Sequence, residues 1–121
     1  MSTNIRKLQE KYANFKQERS WEKFHQPKNI AMSISIESAE LMELFQWKDN
    51  VPLERIKEDP KLMDSIREEL ADIVLYCLSM SQRLDIDLVE AVESKIEQNH
   101  ERFDLETSEE INHELEEWQK E

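Results

Sequence analysis

No glycine occurs anywhere in the 121 residues of the chain. Glycine is the residue that readily takes positive φ, and both the Walker-type phosphate loop and the GxGxxG dinucleotide turn depend on it. Tight β-hairpins also rely on glycine at their turns. The sequence therefore favours helices, and any phosphate that the protein binds must be held by side chains and metal ions.

Apolar residues recur with the spacing of amphipathic helices along the whole chain. Pro27 interrupts the pattern after a first helix, and a second helix is predicted over about residues 28–47. Asp59 followed by Pro60 is typical of an N-cap and a first helical position, so a third helix is predicted to begin there. Asp87 opens a pattern resembling a capping box and predicts the start of a fourth helix.

The last segment has its own start pattern in Thr107 and Glu110, and an amphipathic face follows. Together these patterns predict an all-α protein. We expect an antiparallel helical bundle of about four core helices in residues 1–104, and a short, acidic, amphipathic tail helix in residues 105–121.

The charge balance of the chain disfavours two classes of binding partner. The formal net charge is −12, which argues against nucleic-acid binding and against docking on an anionic membrane. Most of this acid is expected to form a solvated surface. Cys77 is the single cysteine, so no internal disulfide is expected. Without a signal peptide or a membrane-length apolar run, the sequence predicts a cytoplasmic protein.

One carboxylate occupies a position where the second helix should be apolar. Glu37 lies within about 40° of the centre of the apolar face. Glu40 flanks it, whereas Glu43 turns toward solvent. The apolar residues of this stripe are Ile30, Ile34, Leu41 and Leu44. On the third helix, Glu69 borders the apolar stripe, and Asp72 and Tyr76 continue along the same border. The apolar residues of this stripe are Ile66, Leu70, Ile73, Cys77, Met80 and Leu84.

Two helices thus bring a pair of acids each to a buried edge. Buried carboxylates repel one another and cost several kcal/mol each unless they are compensated. A divalent cation is the simplest compensation, and an all-oxygen ligand set selects Mg²⁺, with Mn²⁺ as a substitute. The alternative is that the acids only edge the bundle and pair with lysine or arginine.

Other polar and aromatic residues extend the candidate site. On the fourth helix, Asn99 faces the apolar side and Lys95 borders it, where the pair could bind phosphate. A lysine at such an edge usually extends into solvent. Four aromatic residues could form a slot for a nucleobase, although aromatics at helical spacing are more often core: Trp21, Phe24, Trp47 and Tyr76.

Two functions of other classes compete with a metal-dependent enzyme acting on phosphate. Each of the three histidines, His25, His100 and His113, follows a glutamate by three residues. Di-iron carboxylate bundles use such pairs, which makes a di-iron oxidoreductase an alternative, although glutamate is abundant enough for coincidence. The other alternative is a non-catalytic helical module whose tail recruits a partner.

Four segments occur in the order SWEKFHQPKN, IESAELMELFQW, EELADIVLY and SKIEQNHERF. In these segments the chain resembles the MazG-like nucleoside triphosphate pyrophosphohydrolases, most closely their small dCTP pyrophosphatase branch. The resemblance covers roughly residues 8–103. It implies an all-α bundle that assembles as a homodimer or a dimer of dimers. It also implies cleavage of a nucleoside triphosphate between its α- and β-phosphates, which yields a monophosphate and pyrophosphate.

The resemblance also implies roles for individual residues. Glu37, Glu40, Glu69 and Asp72 match Mg²⁺ ligands, and Glu37 and Glu40 are the candidates for the catalytic base. Lys95 and Asn99 match positions near the phosphates. The positions around the base and sugar are matched by Trp21, Trp47 and Tyr76, with His25 in the same segment.

The chain departs from the family pattern at two places. Tyr12 stands where close relatives can have a histidine near the base, which bears on selectivity for dCTP. Phe103 and Asp104 replace the usual Tyr-Pro after the last motif, and the acidic tail has no counterpart in the resemblance.

Overall fold

The computed structural model describes residues 4–120. These residues form helices and connecting turns, with no strand among them. A 3₁₀ turn, Glu22–Phe24, follows the first helix. The α-helices are α1 (Ile5–Glu18), α2 (Pro27–Glu43), α3 (Leu53–Lys57), α4 (Pro60–Arg83), α5 (Leu88–Arg102) and α6 (Leu105–Lys120). The predicted all-α fold class is confirmed.

Helix starts follow the predicted chemistry of N-caps. The Asp59 carboxylate accepts a hydrogen bond from the Leu62 backbone N–H at 3.1 Å, and Pro60 is the first residue of α4. The Asp87 carboxylate accepts from the Glu90 backbone N–H at 3.1 Å at the start of α5. Each cap satisfies a backbone donor that the first helical turn leaves without a partner.

One helix boundary and one helix cap differ from the prediction. The second helix ends at Glu43 rather than near residue 47, because Leu44 and Phe45 continue the chain in tighter turns that hydrogen-bond three residues back. The tail helix begins at Leu105, the first residue of its predicted span, although its start pattern was assigned to Thr107. The Asp104 carboxylate caps it by accepting from the Thr107 N–H at 2.7 Å, so Thr107 lies inside the first turn.

Two compact units divide the chain, Met1–Ile86 and Asp87–Glu121. The first contains α1 to α4, and the second contains α5 and α6. This division falls earlier than the predicted domain boundary after residue 104, which stays a prediction. Among residues 4–120, no helix combines the length and the hydropathy that crossing a bilayer requires.

The core of the first unit lies between α2 and α4. Ile30 on α2 is 1% exposed and Leu78 on α4 is 2% exposed. The start of α2 lies beside Tyr76 late in α4, and Leu44 just after α2 lies beside Leu62 early in α4. The two helices therefore pack antiparallel, with their middle turns facing each other. The predicted stripe on α2 is buried at Ile30 and half-buried at its other three residues.

The predicted stripe on α4 is less accurate. Leu70 and Leu84 were expected to face the core, but each is 50% exposed. Ser79 and Ser81 are instead almost fully buried, at 2% and 3% exposed. These serines lie where α1 contacts α4, which explains how small polar residues can replace apolar ones on this side of the helix. Cys77 is half-buried and not in a disulfide.

Candidate metal and nucleotide site

Three carboxylates meet where α2 faces α4. Glu37 and Glu40 lie one turn apart on α2, and Glu69 comes from α4. One oxygen from each of the three lies within 4.8 Å of the others. The antiparallel packing produces this arrangement, because it sets the middle turn of α2 against the middle turn of α4. The spacing of three residues keeps Glu37 and Glu40 on one face of α2.

Two oxygens of this cluster are buried without a hydrogen-bond donor. They are Glu37 Oε2 and Glu69 Oε2, one from each helix. Among residues 4–120, no lysine or arginine forms an ion pair with Glu37, Glu40, Glu69 or Asp72. Burying a carboxylate oxygen without a hydrogen-bond donor costs free energy. A cation bound between these oxygens would compensate for that cost.

The electrostatics of the cluster agree with this geometry. The pKa of Glu37 is raised, first because Glu69 is close enough to share a hydrogen bond with it, and then because of burial. The negative charges of Glu69 and Asp72 raise it further, while the Glu40 carboxyl, which lies close enough to share a proton with Glu37, opposes the change. The pKa of Glu40 is also raised, first because its carboxyl lies close enough to share a proton with Glu37, and then because of the Glu37 charge. Without a cation, these carboxylates favour a shared proton.

The fourth predicted ligand, Asp72, lies outside the group of three. Its charge acts on Glu37, so it lies near the cluster, and its side chain is half-buried. Its role as a ligand stays a prediction. Glu43, which was expected to face solvent, is exposed.

A small pocket lies beside the same stretch of α2. Its volume is about 160 Å³, and it is lined by Phe24, His25, Asn29, Ile30, Ser33 and Tyr76. Of the aromatic residues predicted to bind a base, Tyr76 and Phe24 line it. Asn29 and Ser33 are pocket residues that the sequence patterns did not predict. Their spacing does indicate a shared face, because Asn29, Ser33 and Glu37 follow one another at steps of four.

His25 is held in the pocket by contacts on two sides. Its ring stacks against Tyr76, with centroids 6.5 Å apart and planes 25° apart. Its Nδ1 donates a hydrogen bond to the Trp21 carbonyl oxygen at 2.9 Å. Because a carbonyl can only accept, Nδ1 holds the hydrogen, and Nε2 of the neutral ring is left as an acceptor. Trp21 thus supports the pocket through its backbone.

The remaining predicted residues lie elsewhere. Trp47 follows α2 and is 88% exposed, outside the lining of the pocket. Lys95 and Asn99 lie one turn apart on α5, in the second unit, and both are exposed. Their predicted roles near the phosphates stay predictions. In the part of the chain that the structure describes, the group of residues placed to hold a metal is Glu37, Glu40 and Glu69, without a histidine.

The fold and the site together define a class: an all-α protein with a carboxylate cluster between two antiparallel helices, suited to a hard divalent cation. Residues 32–121 match the MazG-like family, about three quarters of the chain. The chain belongs to the MazG-like family. The match extends through α6, so the acidic tail has a counterpart in the family after all.

Individual relatives give a closer comparison. The chain is 38% identical over 105 residues to dCTP pyrophosphatase 1 of Mus musculus, and 38% identical over 100 residues to that of Homo sapiens. These alignments cover 87% and 83% of this chain. The chain spans about 60% of the length of these curated relatives.

A solved structure shows the same fold. The crystal structure of a pyrophosphatase from Archaeoglobus fulgidus superposes with a TM-score of 0.74 at 35% sequence identity. The superposition covers 86% of this chain and 95% of the archaeal chain. The fold of this chain is therefore that of a known pyrophosphatase.

Proposed function

We propose that this protein is a Mg²⁺-dependent nucleoside triphosphate pyrophosphohydrolase. It would cleave a triphosphate between the α- and β-phosphates, releasing a nucleoside monophosphate and pyrophosphate. The single observation that carries the proposal is the pair of buried, unpartnered oxygens of Glu37 and Glu69, whose carboxylates approach each other within 4.8 Å between α2 and α4. Membership of the MazG-like family and the names of the relatives support the same activity.

The residues present fit a hard divalent cation. All the donors are carboxylate oxygens, which suit Mg²⁺ and Mn²⁺. Glu37, Glu40 and Glu69 would hold the ion, with Asp72 as a fourth ligand nearby. When bound, the ion would neutralise phosphate charge and lower the pKa of a coordinated water.

The residues of the chain then account for the chemistry. A water attacks the α-phosphorus, the bond from that phosphorus to the bridging oxygen of the β-phosphate breaks, and pyrophosphate leaves. Glu37 or Glu40 takes the proton that the water loses. Lys95 and Asn99 would bind the departing phosphates, Lys95 as a cation and Asn99 through its amide.

The pocket supports a preference for a pyrimidine. A cavity of about 150 Å³ takes a benzene ring, so a volume of about 160 Å³ suits one six-membered ring better than a fused purine. The His25 ring stacks on Tyr76 and leaves Nε2 as an acceptor. Such an acceptor suits the exocyclic amino group of cytosine, so dCTP is the expected substrate. Trp21 and Trp47 would complete the base and sugar site.

The surface of the first unit supports self-association. Met32 and Ile36, one turn apart on α2, are 54% and 55% exposed. Leu70 and Val74, one turn apart on α4, are 50% and 49% exposed. Exposed apolar pairs on two helices favour a protein interface. We propose a homodimer or a dimer of dimers, acting in the cytoplasm to balance or sanitise the nucleotide pool.

A pyrophosphate-release screen tests the function. The purified chain is assayed with each of the eight common NTPs and dNTPs, with Mg²⁺ and with chelator. We expect release that needs Mg²⁺ and is highest with dCTP. A purine nucleotide as the best substrate would contradict the interpretation of the pocket. No release from any nucleotide, together with no effect of Mg²⁺ on thermal unfolding, would favour the non-catalytic helical module instead.

A further inference from the structure

A groove lined by basic and apolar residues lies beside the short helix α3, and the proposed chemistry does not use it. Two hollows of about 290 and 230 Å³ form the groove, and they adjoin because Lys48, Asp59 and Leu62 line both. The apolar residues of the larger hollow are Phe45, Val51, Ile56 and Leu62. This surface, which residues 44–65 provide, is named the α3 groove.

The α3 groove has an excess of positive charge. Lys48 and Arg55 line the larger hollow, and Lys61 lines the smaller one. Among residues 4–120, none of these three side chains forms an ion pair. The one carboxylate in the lining, Asp59, caps α4. The other acidic residues of this segment lie outside the lining: Asp49, Glu54 and Glu58. In a chain of net charge −12, cations around an apolar floor suit an acidic, amphipathic ligand.

Helix α6 has the complementary pattern. Ile111, Leu115 and Trp118 follow one another at steps of four and three, the spacing with which an amphipathic helix binds an apolar groove. Leu115 is 53% exposed and Trp118 is 70% exposed. Glu110 and Glu114 flank this stripe one turn apart, and both are exposed. The helix has six glutamates and one lysine, so its charge is opposite to that of the α3 groove.

The size of the larger hollow fits the side chain of Trp118. A cavity of about 150 Å³ takes a benzene ring, and a volume of about 290 Å³ has room for the two fused rings of an indole. A free phosphate suits the groove less well, because the Asp59 carboxylate lines both hollows and repels an anion placed between them. An amphipathic helix instead places apolar side chains in the hollows and its glutamates beside the cations.

We propose that the α3 groove of one copy binds helix α6 of a second copy. The Trp118 side chain occupies the larger hollow, and Glu110 and Glu114 lie against Lys48 and Arg55. The exposed apolar pairs on α2 and α4 already favour a second copy beside this unit. In a dimer with two-fold symmetry, each copy then gives one helix and receives one. The contact does not depend on the proposed hydrolysis.

Charge reversal tests this contact in the full chain. A groove variant carries Lys48→Glu and Arg55→Glu, and a helix variant carries Glu110→Lys and Glu114→Lys. Hydrogen–deuterium exchange measures the protection of the α6 backbone amides. We expect each variant to lose this protection about tenfold, because attractive pairs at the rim become repulsive. A chain with all four substitutions should regain it. Unchanged protection in both variants would mean that the groove binds something other than α6, and would overturn the proposal.

Two single reversals are matched controls. Lys57→Glu changes a cation of α3 that is not in the lining of the groove. Glu109→Lys changes a glutamate on the face of α6 opposite the apolar stripe. We expect both to leave the protection of α6 unchanged. If they lowered it as much as the groove and helix variants do, general electrostatics and not a defined contact would explain the effect.

The apolar part of the contact has its own test. Trp118→Ala removes the side chain that fills the larger hollow, so we expect it to lower the protection of α6. Leu105→Ala is the control, because Leu105 is 85% exposed on the same helix and does not belong to the stripe. Equal protection in Trp118→Ala and the wild type would contradict the placement of Trp118.

A mixed assembly shows which copy supplies the helix. The groove variant and the helix variant are co-expressed with different affinity tags and purified through both. In this assembly each groove meets a helix of opposite charge only on the other copy, so we expect the α6 peptides of both chains, which differ in mass, to regain protection. If α6 bound the groove of its own chain, neither peptide would regain it. That result, or the absence of any mixed assembly, would overturn the proposal.

Discussion

At the scale of single residues, Glu37 joins the fold to the proposed chemistry. The residue occupies a half-buried position on the face that α2 turns toward α4, and one of its oxygens has no donor. Replacement by the isosteric neutral amide keeps the shape and removes one of the like charges. The same change removes a metal ligand and a candidate base. Glu37 therefore lowers the stability of the metal-free fold but is required for the proposed activity.

The variant Glu37→Gln tests this trade. We expect Mg²⁺-dependent pyrophosphate release to fall at least about a hundredfold, while the midpoint of thermal unfolding in chelator is unchanged or raised. The exposed Glu43 on the same helix provides the control, since Glu43→Gln should change neither quantity. A Glu37→Gln protein that unfolds more easily but keeps its specific activity would reverse the assignment.

The raised pKa of Glu37 predicts a pH dependence of the metal-free protein. Its ordinary value is 4.5, and in the folded state the neighbouring Glu69 carboxylate and burial raise it. Above pH 4.5, the folded state therefore binds more protons at this group than the unfolded state does. The free energy of unfolding must then fall as the pH rises through this window.

Urea unfolding in chelator between about pH 5 and pH 7 measures this slope. Wild-type protein should lose stability with rising pH, and Glu37→Gln should show a smaller loss because the titrating group is gone. Identical slopes in the two proteins would contradict the pKa direction.

The predictability of the site also differs residue by residue. The position of Glu37 followed from helical geometry, because a carboxylate within an apolar stripe has few structural explanations. Asn29 and Ser33 were not predicted, although steps of four place them on the same face of α2 as Glu37.

At the scale of helices, the packing of α2 on α4 places the three carboxylates together. Ile30 near the start of α2 is 1% exposed in this packing, and Met42 on the same helix is 60% exposed. We expect Ile30→Ala to lower the free energy of unfolding by about 2 to 5 kcal/mol, since it opens a cavity in the core. Met42→Ala should change it by less than about 0.5 kcal/mol. If the two variants lowered the free energy of unfolding equally in urea, α2 would not pack on α4 through Ile30.

Helix starts were predictable where a capping side chain stood alone, as at Asp59 and Asp87. The span of the tail helix was predictable but its cap was not, because Asp104 and Thr107 are both good caps and Asp104 takes the role. The end of α2 was placed too far along because Leu44 and Phe45 continue the apolar pattern in turns of a tighter kind. Local sequence does not distinguish these turns from a further helical turn.

At the scale of the whole molecule, the fold class was predictable from the absence of glycine and the helical periodicity, but the assembly was not. The exposed pairs on α2 and α4 predict self-association. We expect the double variant Met32→Ser, Val74→Ser to shift sedimentation velocity toward a smaller species. Leu53→Ser is the control, because Leu53 is 66% exposed on α3, outside these pairs. An unchanged sedimentation coefficient in the double variant would contradict this interface.

The most direct test of the account is calorimetric titration of the metal-free chain with Mg²⁺, without nucleotide. Because the cluster was assigned from unpartnered carboxylate oxygens, it must bind the ion by itself. We expect measurable binding to the wild type and to Glu43→Gln, and strongly weakened binding to Glu37→Gln and Glu69→Gln. If the wild type took up no ion, or if all four proteins bound it equally, the carboxylate cluster between α2 and α4 would not be the metal centre.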